Sequence, residues 1–180
     1  MRWIARFFAL VGLAFATLGV VFVVGMRRKS PVVMDAVRRR SRAMKPYVLK
    51  TAGTAGNAVS VVHHVGRTSG RSYETPVTAV PTDEGFVVAL PYGPKTDWLQ
   101  NVLAAGSAEL VNDGTTYRVD RPQVLPLSEI SREFSLNDQR AHRWFAVEDG
   151  LRLRRVEVVA TSVGPAAGSS PTHPMGGSDE

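Results

Sequence analysis

Short β-rich runs joined by tight turns govern what this chain can become. Residues 58–65 and 73–80 flank the turn GRTSGR, and residues 108–112 and 115–121 flank Asp113–Gly114, the strongest short-range hairpin signal in the sequence. Strands linked by so few residues pair antiparallel, because a parallel return needs a crossover of about a dozen residues or more. A third run, 85–90, follows a turn signal at 81–85. Residues 124–125 extend the fifth strand past Pro122, and 154–162 gives a last strand in which Val156, Val158 and Ala160 alternate. Asp97 is placed to cap a helix over 98–105, with Gln100 at the capping-box position and Gly106 as its stop. Residues 128–145 read as one or two helices broken near 135–137. The expectation is a mainly β, α+β domain of six antiparallel strands with flanking helices, rolled into a closed or partly closed barrel.

The 180 residues allow one such domain plus appendages. The organisation read from the sequence is an N-terminal anchor with a basic flank (1–29), an amphipathic basic helix (30–50), the barrel (51–163), and a tail (164–180). The tail is rich in Gly, Pro and Ser without periodicity, as disordered segments are. The absence of cysteine excludes disulfides, thiolate metal sites and cysteine nucleophiles. His63 and His64 are neighbours in a strand and point to opposite faces, while His142 and His173 are scattered, so no metal site is expected.

Residues 7–25, FFALVGLAFATLGVVFVVG, carry no charge, and at ~1.5 Å per residue they match the ~30 Å apolar thickness of a bilayer. A transmembrane helix fits. The rival is a cleaved signal peptide, but the run exceeds the usual ~7–15 residue apolar region, and GMRRKSP follows it in place of a small-x-small cleavage site. Arg2 and Arg6 lie before the run. Arg27, Arg28, Lys29 and the 38–42 cluster lie after it, which by the positive-inside rule places the remainder in the cytoplasm. The excess of 22 Lys+Arg over 16 Asp+Glu is concentrated here, where an anionic lipid surface accounts for it more simply than nucleic acid does. Ser30–Pro31 opens a helix with Val33, Ala36, Val37 and Met44 on one side and arginines opposite. Two readings stay open for it: a helix along lipid headgroups, or one packed on the barrel with a solvated basic face.

Two blocks carry chemistry. GRTSGR lies between strands, so it is not the strand-to-helix dinucleotide fingerprint, and it lacks the GK[ST] of a Walker loop. Its parts nevertheless suit an anion. Gly66 and Gly70 allow close backbone approach, Thr68 and Ser69 offer hydroxyls, and Arg67 and Arg71 can make charge-assisted bonds to phosphate oxygens. The plain alternative is a solvated hairpin turn. In YGPKTDWLQNVLAAG, Gly93 and Pro94 keep the backbone irregular, Lys95 adds charge near a helix N-terminus, and Trp98 and Asn101 share a helix face. Here the alternative is that Trp98, Val102 and Leu103 are core and Lys95 is solvated. Ser69 has no evident base partner, so no hydrolytic dyad is visible.

The order and wording of GRTSGR, the following TPV at 75–77, and WLQNVLAAG after a Gly–Pro loop resemble the deazaflavin-dependent nitroreductase family, over about residues 59–121. The resemblance implies a split β-barrel, often with the cofactor at a homodimer interface. It implies coenzyme F420 as hydride donor, with FMN as the alternative cofactor, and a small lipophilic acceptor such as a nitroaromatic, a quinone or an activated alkene. Carried over, it implicates Arg67, Thr68, Ser69, Arg71 and Pro76 toward the coenzyme's phosphate and tail. Tyr92, Gly93, Lys95, Trp98 and Asn101 lie toward the ring, with Tyr92 or solvent as proton source. Tyr47, Trp144 and Phe145 are the candidate substrate aromatics. The chain departs from better-studied members at Thr68 and Tyr92, where they have Lys. A non-enzymatic lipid- or quinone-binding module is a further alternative.

Overall fold

The computed structural model describes residues 2–161, and within the first helix the side chains of 11, 12 and 16–27. The expected tail at 164–180, His173 included, lies outside the described residues. The fold is α+β, with a helical hairpin leading into a curled antiparallel half-barrel of seven strands and three further helices. The strands are β1 (Ser60–Val65), β2 (Ser72–Val77), β3 (Ala79–Pro81), β4 (Gly85–Ala89), β5 (Ser107–Asn112), β6 (Thr115–Pro126) and β7 (Asp149–Thr161), in the order β2-β1-β5-β6-β7-β4-β3.

Seven strands replace the expected six because the run 73–80 breaks at Thr78. Its first half pairs with β1, Ser60 opposite Val77 and Val65 opposite Ser72, and its second half pairs with β4, Ala79 opposite Val88. One residue therefore separates the two edges of the sheet, so the sheet curls until those edges meet. The hairpin at Asp113–Gly114 forms with both residues at positive φ, Asn112 opposite Thr115. β6 does continue past Pro122. Proline cannot donate to the ladder, and it sits in a register break between Asp120 and Gln123 beside Arg121 at φ 50°.

The last strand begins five residues earlier than expected, and this changes which of its residues are core. Leu151 and Leu153 are buried, whereas Val156 and Val158, two of the three residues whose alternation marked the strand, are about half exposed. Inside the barrel Val62, Phe86, Val88, Leu99, Val102, Leu110, Val119, Leu151 and Leu153 form the main core. A second cluster joins Val87 on the outer face of β4 to Leu125, Leu127, Ile130 and Phe134. β4 is thus apolar on both faces because helix α4 (Leu127–Ile130) and the 3-10 turn Ser131–Glu133 cover it outside. Gly150 belongs to this contact, since a Cβ there would stand 2.5 Å from Ile130 Cδ1.

Helix α1 (Arg2–Arg27) and helix α2 (Pro31–Val48) pack as a hairpin, with Gly25 directly against Val33. Among the described residues no helix is long and apolar enough to cross a membrane; the side chains of 2–10 and 13–15 in α1 lie outside that statement. Arg27 donates to the Arg143 and Trp144 carbonyls at 3.0 and 3.1 Å, and Lys29 pairs with Glu148 at 2.6 Å, tying the hairpin to the loop before β7. On α2 the buried residue is Met34; Met44, expected on the apolar side, is exposed. Ser30 and Pro31 do open α2, without a side-chain cap bond.

Candidate functional site

β1 delivers the chain into GRTSGR, which turns tightly: Gly66 N–H donates to the Arg71 carbonyl at 2.8 Å, and Gly70 adopts φ 65°. Helix α3 (Asp97–Ala105) lies across this turn, ended by Gly106 in the left-handed region. Arg67 joins the two. Its backbone N–H and its Nη1 both donate to Asn101 Oδ1, at 3.1 and 2.8 Å, and its Nη2 pairs with Asp97 Oδ1 at 3.4 Å.

With Oδ1 facing two donors, the Asn101 amide directs Nδ2 toward His64 Nδ1 at 3.2 Å. That nitrogen is then the acceptor, so the ring proton sits on Nε2 and is donated to Thr75 Oγ1 at 3.1 Å. Burial, and after it the charges of Lys45 and His63, hold the His64 pKa below its ordinary 6.5. The neutral tautomer agrees. His64 and Asn101 are buried, and the His64 ring stacks on Tyr73 at 5.7 Å.

On one side of α3 opens a groove of about 620 Å³ lined by Arg67, Thr68 and Ser69 of the loop and by Arg42 and Lys45 of α2. On the other lies a chamber of about 410 Å³ walled by Pro76, Val77, Leu90, Tyr92, Gly93, Thr96, Trp98, Phe134 and His142. Trp98 lines both. Two polar atoms of chamber residues, Thr96 Oγ1 and His142 Nδ1, are buried with no hydrogen-bond partner. Such atoms cost free energy unless a ligand or water satisfies them. The His142 ring meets Phe134 edge-on at 4.9 Å, and burial lowers its pKa more than the nearby Asp138 carboxylate raises it. An apolar chamber adjoining a cationic groove fits a ligand with a flat, largely apolar ring and an anionic arm.

The residues nominated from sequence divide between these spaces. Arg67, Thr68, Ser69, Trp98 and Asn101 line the groove, and Pro76, Tyr92, Gly93 and Trp98 line the chamber. Arg71 and Lys95 line neither and are exposed. Asn101 is a buried link between His64 and Arg67 rather than a free ligand group. The substrate aromatics are not brought together. Tyr47 is exposed beneath Lys50, Trp144 is exposed, and Phe145 meets Phe22 of α1 edge-on at 6.3 Å. α5 (Leu136–Trp144), capped by Ser135 accepting from Asp138 N–H, instead brings His142 to the chamber wall. The N-cap of α3 is Thr96, not Asp97, and Gln100 donates to the Pro94 carbonyl at 3.0 Å in place of a capping box.

Sequence reasoning missed His142, Thr96, His64, Arg42 and Lys45 as site residues. The adjacency of His64 to a loop rich in donors was a local signal, and Thr96 lies within the second block; Arg42, Lys45 and His142 arrive from elements distant in the chain. Among the described residues no group of three or more His, Asp or Glu is placed to hold a metal.

No family model matches the sequence, and no curated protein does. Solved structures with some likeness include a protein of unknown function from Agrobacterium tumefaciens (13% identity, 56% of this chain and 49% of that one, TM-score 0.41). Others are the heme storage protein HutZ from Vibrio cholerae (9%, 63% and 91%, TM-score 0.42) and an FAD-binding protein from Mesorhizobium loti (20%, 66% and 90%, TM-score 0.39). The chain spans about half the length of the Agrobacterium protein. Scores of this size establish neither a family nor an activity, so the fold rests on strand order and register and the site on its own geometry.

Proposed function

We propose that the protein is a membrane-anchored oxidoreductase that binds reduced coenzyme F420 and transfers a hydride to a small lipophilic acceptor: a nitroaromatic, a quinone or an activated alkene. The observation that carries this reading is the pairing of an apolar chamber and a cationic groove on the two sides of Trp98. The coenzyme, when bound, supplies the hydride. The chain's part is to hold the ring against Trp98, Pro76 and the open backbone at Gly93, and to keep water from it with Val77, Leu90 and Phe134. Thr96 and His142 stand in the chamber wall, and the Tyr92 hydroxyl is the candidate proton donor. FMN is the alternative occupant of the same two spaces. The 7–25 run supports an uncleaved single-pass anchor with the barrel in the cytoplasm, and a homodimer belongs to the same reading.

Absorption and fluorescence titrations of the full-length protein with F420 and with FMN test this. F420 binding, followed by oxidation of the reduced coenzyme on adding menadione or a nitroaromatic, is the expected result. Binding of FMN alone would replace the cofactor, and binding of neither would overturn the reading.

A further inference from the structure

The loop arginine nominated for the anion is already engaged. Both the backbone and the guanidinium of Arg67 bond Asn101 Oδ1, and its remaining arm faces Asp97, the groove's carboxylate. Part of the Arg67 guanidinium is thus already committed to holding loop to helix. The groove's other two cations come from α2, and among the described residues neither Arg42 nor Lys45 has a carboxylate within ion-pair distance. Lys45 stands near enough to His64 to depress that ring's pKa, and α2 packs on β2, so this wall is part of the folded domain.

We propose that Arg42 and Lys45 hold the phosphate-bearing end of the ligand, so that a bound anion ties α2 across the groove to Thr68 and Ser69. This rests on the reading of the groove as the seat of the ligand's anionic arm. It reassigns part of the basic face of α2 from membrane surface to binding site. The phosphate belongs either to a soluble cofactor or to a lipid headgroup, and the chemistry that recognises it is shared.

The test uses full-length protein in detergent. Inorganic pyrophosphate is titrated by calorimetry into wild type, into Arg42→Gln/Lys45→Gln, and into Arg39→Gln/Arg40→Gln, which removes the same charge from α2 outside the groove. Wild type should bind, the groove pair should lose about tenfold or more in affinity, and the control pair should stay within about threefold. Pyrophosphate should also slow amide exchange in 38–48 of wild type and of the control pair, but not of the groove pair. Equal losses in the two pairs would mean diffuse charge attraction and would overturn the proposal, as would undiminished binding in the groove pair. If pyrophosphate fails but phosphatidylglycerol vesicles bind with the same dependence on 42 and 45, the phosphate is a lipid's and the assignment stands. If neither binds, the assignment falls; F420 or FMN titration then decides separately whether the chamber reading falls with it.

Discussion

Where α3 meets the two spaces divided by Trp98, buried polar groups are partnered in opposite ways. In the groove, Arg67, Asn101, His64 and Thr75 satisfy one another in an unbroken chain of hydrogen bonds, so these groups hold loop to helix. In the chamber, Thr96 Oγ1 and His142 Nδ1 are buried and bond nothing, so they do no structural work. A polar residue in a pocket is therefore no guide to binding until its partners are counted. Satisfied groups belong to the fold; unsatisfied ones call for a separate explanation.

The largest expected effect falls on the satisfied side. Asn101→Ala strands His64 Nδ1 and the Arg67 N–H, and should cost about 2–4 kcal/mol in denaturant unfolding, with loosening of the 66–71 turn visible by amide exchange. A loss below about 1 kcal/mol would break the contrast between the two spaces. The next effect is one of pH. His64 and His142 both have folded pKa values below the unfolded 6.5, so the unfolded chain takes up protons first. Their contribution to stability is present in full above pH 6.5 and is lost as pH falls through the depressed folded values. Thermal melts from pH 7.5 to 5 should show the decline, and His142→Phe should flatten it in part.

The smallest effects fall in the chamber. Thr96→Val removes a hydroxyl that neither caps α3 nor meets any other partner, so an N-cap substitution that ordinarily costs about 1 kcal/mol should here be neutral or slightly stabilising. Ligand titration of the same variant should show weaker binding. Unchanged affinity would remove Thr96 from the site.

Local turn chemistry made much of the fold legible. The hairpin at Asp113–Gly114, the Gly106 stop and the strand resuming beyond Pro122 are decided within a few residues of backbone, and each is present. The bend at Thr78 was not legible, because nothing in 73–80 announces that its halves have different neighbours. Nor was the exposure of Val156 and Val158: alternation marks a strand but says nothing of what covers it. In the site, the two motif blocks did converge on α3, since one carries the loop and the other the helix that crosses it.

By itself, then, the sequence determined the antiparallel strands, the two loops and the charge asymmetry around 7–25. Those follow from backbone preferences and residue type, which act over short range. Tertiary structure alone decided that Arg67 is bonded to Asn101, that α2 offers Arg42 and Lys45 to the groove, and that His142 lines the chamber while Trp144 and Phe145 do not. Each of these is a meeting of elements about 20 residues or more apart. Side-chain partnership at that distance depends on how whole strands and helices pack, which no local pattern encodes.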